Sequence, residues 1–153
     1  MQHGEFLSVK NEGGIAYKFS AKEVLGLHKI KITHSVEHNE SLKVLHYPWQ
    51  IFQLNDWAIR QDFELITARR KSKPISKTNT IINVAQIFIE AGAKVEHCTL
   101  NASTGPIYIG KNAEIQEGTM IRGPFALCEG SLVKMGSKIY GATTIGPYCL
   151  AGG

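Results

Sequence analysis

From Ile109 onward an aliphatic or small apolar residue recurs at every sixth position: Ile109, Ile115, Ile121, Leu127, Val133, Ile139, Ile145 and then Ala151. A period of six matches neither the 3.6 of an α-helix nor the 2 of a simple strand. It does match a coil of three short flat strands joined by tight corners, about 18 residues to the turn, in which every sixth side chain points into a triangular core. Ile109, Leu127 and Ile145 then form one internal column. Ile115, Val133 and Ala151 form a second, and Ile121 and Ile139 a third.

Two further columns support this geometry. Four residues after each aliphatic position the side chain is mostly small (Ala113, Thr119, Ser131, Ser137, Thr143, Cys149), with Phe125 the exception. Three residues after come Asn112, Gly118, Pro124, Gly130, Gly136, Ala142 and Tyr148, a column in which Gly and Asn supply the backbone conformations that corners demand. An earlier piece of the pattern appears at Ile89 and Val95, with Gly92, Ala93 and Thr99 in the matching columns. Val95 and Ile109 are 14 apart rather than 12. A two-residue insertion is therefore expected somewhere between Leu100 and Pro106, as a surface bulge at a corner. The repeat is still in phase at Gly153, and because a bare terminal coil exposes unpaired strand backbone, the chain is expected to be a fragment.

Ahead of the repeat the texture differs. Glu5-Phe6-Leu7-Ser8-Val9 and Ile15-Ala16-Tyr17-Lys18-Phe19 alternate like strands around Asn11-Glu12-Gly13-Gly14, a hairpin signal. Ser20-Ala21-Lys22-Glu23 reads as a capping box opening a short helix, and Lys29-Ile30-Lys31-Ile32-Thr33 as another strand. Pro48 is suited to a first helical turn. From Trp49 to about Thr67 the apolar residues follow helical spacing: Phe52, Ile59, Phe63 and Ile66 on one stripe, Ile51, Leu54, Ala58 and Leu65 beside it. A stripe this broad predicts a helix clamped between two bodies, with Trp49 and Trp57 in ordinary core packing. The expected fold class is mainly β: a left-handed parallel β-helix preceded by a linking α-helix and a small α+β segment. The expected divisions are 1–45 (partial α+β), 46–79 (helix and basic linker) and 80–153 (β-helix).

Composition excludes several functions. At 43% hydrophobic and 20% charged, the chain is that of a globular protein, with no apolar run near the roughly 20 residues that span a bilayer. No signal pattern opens it, so a cytoplasmic location is expected. Cys98, Cys128 and Cys149 fit neither a disulfide scaffold nor a CxxC metal site and read as buried or half-buried thiols. Six of the 17 basic residues lie between Arg60 and Lys77, a solvated linker without the aromatics or module of a nucleic-acid binder. Five of six histidines precede position 47, which speaks against a three-histidine zinc site; His97 reads as a surface coil residue. Thr143-Thr144 is not the rank of threonines an ice-binding face needs.

From His46 to Gly153 the sequence resembles the sugar nucleotidyltransferases that carry a C-terminal hexapeptide domain. The matching stretches are Tyr47-Pro48-Trp49-Gln50-Ile51-Phe52 with Asn55, Ile87-Phe88-Ile89-Glu90, Asn101-Ala102-Ser103-Thr104-Gly105-Pro106-Ile107-Tyr108-Ile109-Gly110, and Ile121-Arg122-Gly123-Pro124-Phe125. It looks closest to the bifunctional N-acetylglucosamine-1-phosphate uridyltransferase/acetyltransferase type. That resemblance implies a nucleotidyltransferase domain, a linking helix and a trimerising β-helix, with residues 1–45 as the tail of the first domain. It also implies Mg²⁺ and acyl-CoA as cofactors of a full-length relative, and a sugar phosphate or nucleotide sugar as its ligand. Neither catalytic centre carries over. The glycine-rich nucleotide loop and the acidic Mg²⁺ ligands have no match. Thr143-Thr144-Ile145-Gly146-Pro147-Tyr148 resembles the coil just before an acyltransferase site, whose histidine base belongs to later coils.

Within the repeat, Arg122, Lys134 and Tyr140 point outward beside the internal columns and are the candidate substrate-binding residues; no catalytic or metal-binding residue is assigned. Arg122 and Tyr140 are one coil apart, and a planar guanidinium there suits a bidentate grip on a sugar phosphate. The expected function is a transferase fragment inactive by itself; the alternative is a non-catalytic trimerisation or allosteric module.

Overall fold

The computed structural model describes residues 6–10, 16–20, 43 and 45–152. The chain divides into two compact units, Met1–Lys43 and Val44–Gly153. In the first, β1 (Phe6–Lys10) and β2 (Ala16–Ser20) pair antiparallel, Val9 opposite Tyr17 and Phe6 opposite Ser20. The turn at Asn11–Gly14, the helix opened by Ser20–Glu23 and the strand at Lys29–Thr33 lie outside the described residues.

In the second unit every sixth residue from Ile109 does point inward. Three four-stranded parallel sheets form the sides of one winding. Side one stacks β4 (Ile87–Ile89), β7 (Ile107–Ile109), β10 (Phe125–Leu127) and β13 (Thr143–Ile145). Side two stacks β5 (Lys94–Val95), β8 (Glu114–Ile115), β11 (Leu132–Val133) and β14 (Leu150–Ala151). Side three stacks β3 (Thr80–Ile82), β6 (Thr99–Asn101), β9 (Met120–Arg122) and β12 (Lys138–Ile139). The ladders align Ile109 with Leu127 and Ile145, Ile115 with Val133 and Ala151, and Ile121 with Ile139, the three predicted columns. Leu100, Ile109, Leu127 and Val133 are fully buried, and burial of each such side chain contributes about 1.5–3 kcal/mol. Thr119 and Ser131, the buried polar members of the small column, donate to the carbonyls of Lys134 and Gly146 one coil on.

The irregular first coil departs from the sequence reading. Leu100 aligns with Ile121 and Thr99 with Met120, so Cys98, not Thr99, fills the small-residue column. The thiol of Cys98 is buried there and donates to the carbonyl of Glu96 at 3.1 Å. Only five positions separate the inward residues Val95 and Leu100, whereas nine separate Leu100 from Ile109. One corner has lost a residue and the next has gained three. The net excess of two conceals both changes. The shortened corner is turned by His97, exposed and with φ +54°, where the next coil has Gly118. At the corner from side three to side one, positive φ belongs to Gly141 rather than to Ala142. Cys128 is half-buried, but Cys149 is exposed at the last coil.

The linking helix is α1 (Gln50–Gln53) and α2 (Asn55–Thr67), interrupted only at Leu54 with φ −92° and ψ 0°. Helical bonds still cross the break, from the Leu54 amide to Gln50 and from Ala58 to Leu54. Of the broad apolar stripe only Ile59 and Phe63 are buried among the described residues. Ile51, Phe52, Leu65 and both tryptophans are exposed, so the tryptophans are not core residues. One side of the helix faces the β-helix and the other does not. The reason is geometric: a single docked helix buries only the residues at its line of contact, Ile59 and Phe63, with Leu54 and Ala58 half-buried beside them, and it leaves Ile51, Phe52, Leu65 and Ile66 exposed.

Candidate functional site

α2 runs along side one, held at both ends. At its start Asn55 donates to the carbonyl of Ala142 at 3.0 Å and accepts from the Thr144 hydroxyl at 2.8 Å, on the fourth strand. Beyond its end Arg70 meets Glu90 at 2.6 Å, and the amide of Lys73 donates to the carbonyl of Ile89, on the first. Glu90 also accepts from the Tyr108 hydroxyl at 2.8 Å, while the Arg70 guanidinium lies over the Phe88 ring, 5.3 Å from its centre. Burial, and then the Glu90 carboxylate, push the Tyr108 hydroxyl up to about 12. This cluster is an anchor for the chain leaving the helix.

The docked helix brings a side chain to the rim of side three. There the outward residues form two columns. Thr99, Met120 and Lys138 stack in one, and Asn101, Arg122 and Tyr140 in the other. They line a groove of about 680 Å³, within the range of small-ligand sites. Its floor and wall include Ile139, Gly123 and Pro124, with Thr104 from the enlarged corner and Asp56 from α2. The corner is fixed from within, because the Thr104 hydroxyl donates to the Gly123 carbonyl and the Ser103 amide to Asn101 Oδ1 at 2.9 Å. Gly105 and Gly123 allow this approach: a Cβ on Gly105 would lie 2.8 Å from the Pro124 ring, and one on Gly123 would strike the Gly105 carbonyl oxygen.

Electrostatically the groove has two ends. Arg122 and Lys138 form no salt bridge with any described residue. Asp56 is held by Arg60, whose Nε donates to Oδ1 at 2.6 Å and whose Nη2 lies 3.4 Å from Oδ2. The same Nη2 donates to the carbonyl of Thr104 at 2.7 Å. The bond to Asp56 raises the already high pKa of the Arg60 guanidinium, so it stays charged at every relevant pH. Such a site can take a phosphate on its cations, sugar hydroxyls on its carboxylate, and a flat ring against the exposed face of Tyr140.

Of the sequence candidates, Arg122 and Tyr140 are brought together and Lys134 is not. Lys134 sits at the corner between sides two and three, its amide bonded to Ala151 and its carbonyl to Ser137. Lys138 was missed, although its register, one coil above Met120, was available from the repeat. Asp56 had no sequence signal, since only tertiary docking places it. No three His, Cys, Asp or Glu side chains among the described residues could together hold a metal ion. No helix among them is long and apolar enough to cross a membrane.

Fold and groove together define a three-sided parallel β-helix with a helix strapped along one face and, at its rim, a largely apolar groove that carries a few charged groups. A family model described as sugar nucleotidyl transferase matches residues 1–71, a span that takes in β1, β2, α1 and α2 and ends before the β-helix. No curated protein and no solved structure matches the chain.

Proposed function

We propose that this chain is part of a sugar-nucleotidyltransferase-type protein, related to the bifunctional uridyltransferase/acetyltransferase kind, and that its side-three groove binds a sugar phosphate or nucleotide sugar. One observation carries the reading. The segment matched by the transferase family model extends through α2, and a residue of that segment, Asp56, lines the same groove as Arg122, Lys138 and Tyr140. The family's ligand class and the groove's chemistry agree: cations for phosphate, an aromatic face and a carboxylate for the rest. The chain by itself does not catalyse transfer, because no residue motif for Mg²⁺ or for an acyl-transfer base is present in it. Mg²⁺ and acyl-CoA are the cofactors this kinship implies for a full-length relative. A cytoplasmic location fits three free thiols, and a homotrimer would cover the exposed apolar flank of the helix.

The test is calorimetric titration of the chain with N-acetylglucosamine 1-phosphate and its uridine diphosphate derivative, beside a pyrophosphate-release assay with uridine triphosphate. Binding is expected without turnover. Arg122→Ala should weaken binding by about tenfold or more, the cost of one charge-assisted contact. Lys134→Ala, outside the groove, should leave it unchanged. Binding that ignores Arg122 would end the assignment, and turnover would end the inactive reading. A second reading, a non-catalytic trimerisation module, draws on Ile51, Phe52 and Leu65 lying exposed. Sedimentation that gives a trimer, with no sugar-phosphate binding, would favour it.

A further inference from the structure

Among the described residues, Asp56 is the one carboxylate lining a groove whose other charges are Arg122 and Lys138. Left free, a carboxylate on that wall would be drawn toward those cations, since opposite charges that share a groove attract. A pair formed that way would cancel the positive end. In the structure it is turned the other way: both carboxylate oxygens of Asp56 face Arg60, and the same guanidinium donates to the carbonyl of Thr104. Thr104 is itself tied to Gly123, so Arg60 holds α2 and the enlarged corner in one frame.

We infer that Arg60 is a positioning residue and Asp56 a specificity residue of this groove, together selecting a phosphorylated sugar over a bare phosphate. The inference rests on the binding reading given above. Arg60 does not meet the ligand. It keeps Asp56 on the helix wall, so the sheet wall stays cationic for phosphate. Each carboxylate oxygen has two lone-pair directions, so Asp56 bonded to Arg60 can still accept from sugar hydroxyls. An inorganic phosphate would use only the cationic end; a sugar phosphate would use both.

The experiment titrates the full chain separately with inorganic phosphate and with N-acetylglucosamine 1-phosphate. Asp56→Asn should weaken the sugar phosphate about tenfold and leave inorganic phosphate within about twofold. Arg60→Ala should weaken both ligands, because the released carboxylate competes for Arg122 and Lys138. The double variant, Arg60→Ala with Asp56→Asn, should recover phosphate binding, an outcome that a purely structural role for Arg60 cannot produce. If Arg60→Ala does not fold, the split between ligands in Asp56→Asn decides alone. Equal loss of both ligands in Asp56→Asn, or no recovery in a folded double variant, overturns the inference while leaving the groove intact. Absence of binding by the unaltered chain overturns both.

Discussion

The side chains of Asn55 and Thr144, 89 positions apart, meet at 2.8 Å, the threonine hydroxyl donating to the asparagine carbonyl oxygen. With the Asn55 amide turned to the carbonyl of Ala142, this is the upper fastening of α2 on the β-helix. The contact joins a residue of the family-matched segment to the fourth strand of side one.

Asn55→Ala removes both bonds at once. Each is partly solvated, so the expected loss is about 1–2 kcal/mol in urea unfolding. A loss below about 0.5 kcal/mol would show that docking depends instead on Ile59 and Phe63.

Gly123 and Gly136 test different demands on glycine. A Cβ at Gly123 meets the backbone of Gly105, which cannot move without opening the enlarged corner, whereas a Cβ at Gly136 meets nothing within 4 Å. Gly136 has φ +70°, so Gly136→Ala should cost about 1–2 kcal/mol of left-handed strain alone. Gly123→Ala should cost more, by denaturant titration, and should weaken ligand binding in the neighbouring groove. Equal costs would contradict the close approach.

Tyr108 should titrate above the ordinary range of a phenol. Its hydroxyl, pushed up to about 12 by burial first and by Glu90 second, stays protonated in the folded chain above the ordinary value near 10. The unfolded chain gives up that proton first. Its contribution to stability is therefore complete below about pH 10 and is lost as pH rises toward about 12. Ultraviolet titration should show a late phenol that is absent in Tyr108→Phe and moved partway down in Glu90→Gln. A late end of the titration curve that is unchanged in Tyr108→Phe would refute the cluster.

The legible and illegible parts of this protein differ in the range of the interactions that fix them. The columns headed by Ile109, Ile115 and Ile121 could be read directly, because a strand, a corner and the next strand repeat without change over 18 residues. The first coil could not. The lost residue before Leu100 and the three gained after it offset each other, and spacing alone counts only their sum. Cys98 looked like a stray thiol and Thr99 like the column member until the ladder set Leu100 against Ile121. The helix is visible from its apolar stripes, yet the sequence does not say that full burial would be confined to Ile59 and Phe63.

By itself the sequence determined the winding: inward side chains six apart, small residues behind them, and left-handed backbone at Asn112, Gly118, Gly130 and Gly136. Only the tertiary structure decided the site. Arg122 and Tyr140 share a face because of the coil, but Asp56 and Arg60 reach that face because Asn55, Ile59, Phe63 and Arg70 dock the helix on side one. A repeat is specified by neighbours and can be read locally. A groove between a helix and a sheet depends on long-range packing, which leaves no periodic trace in the chain.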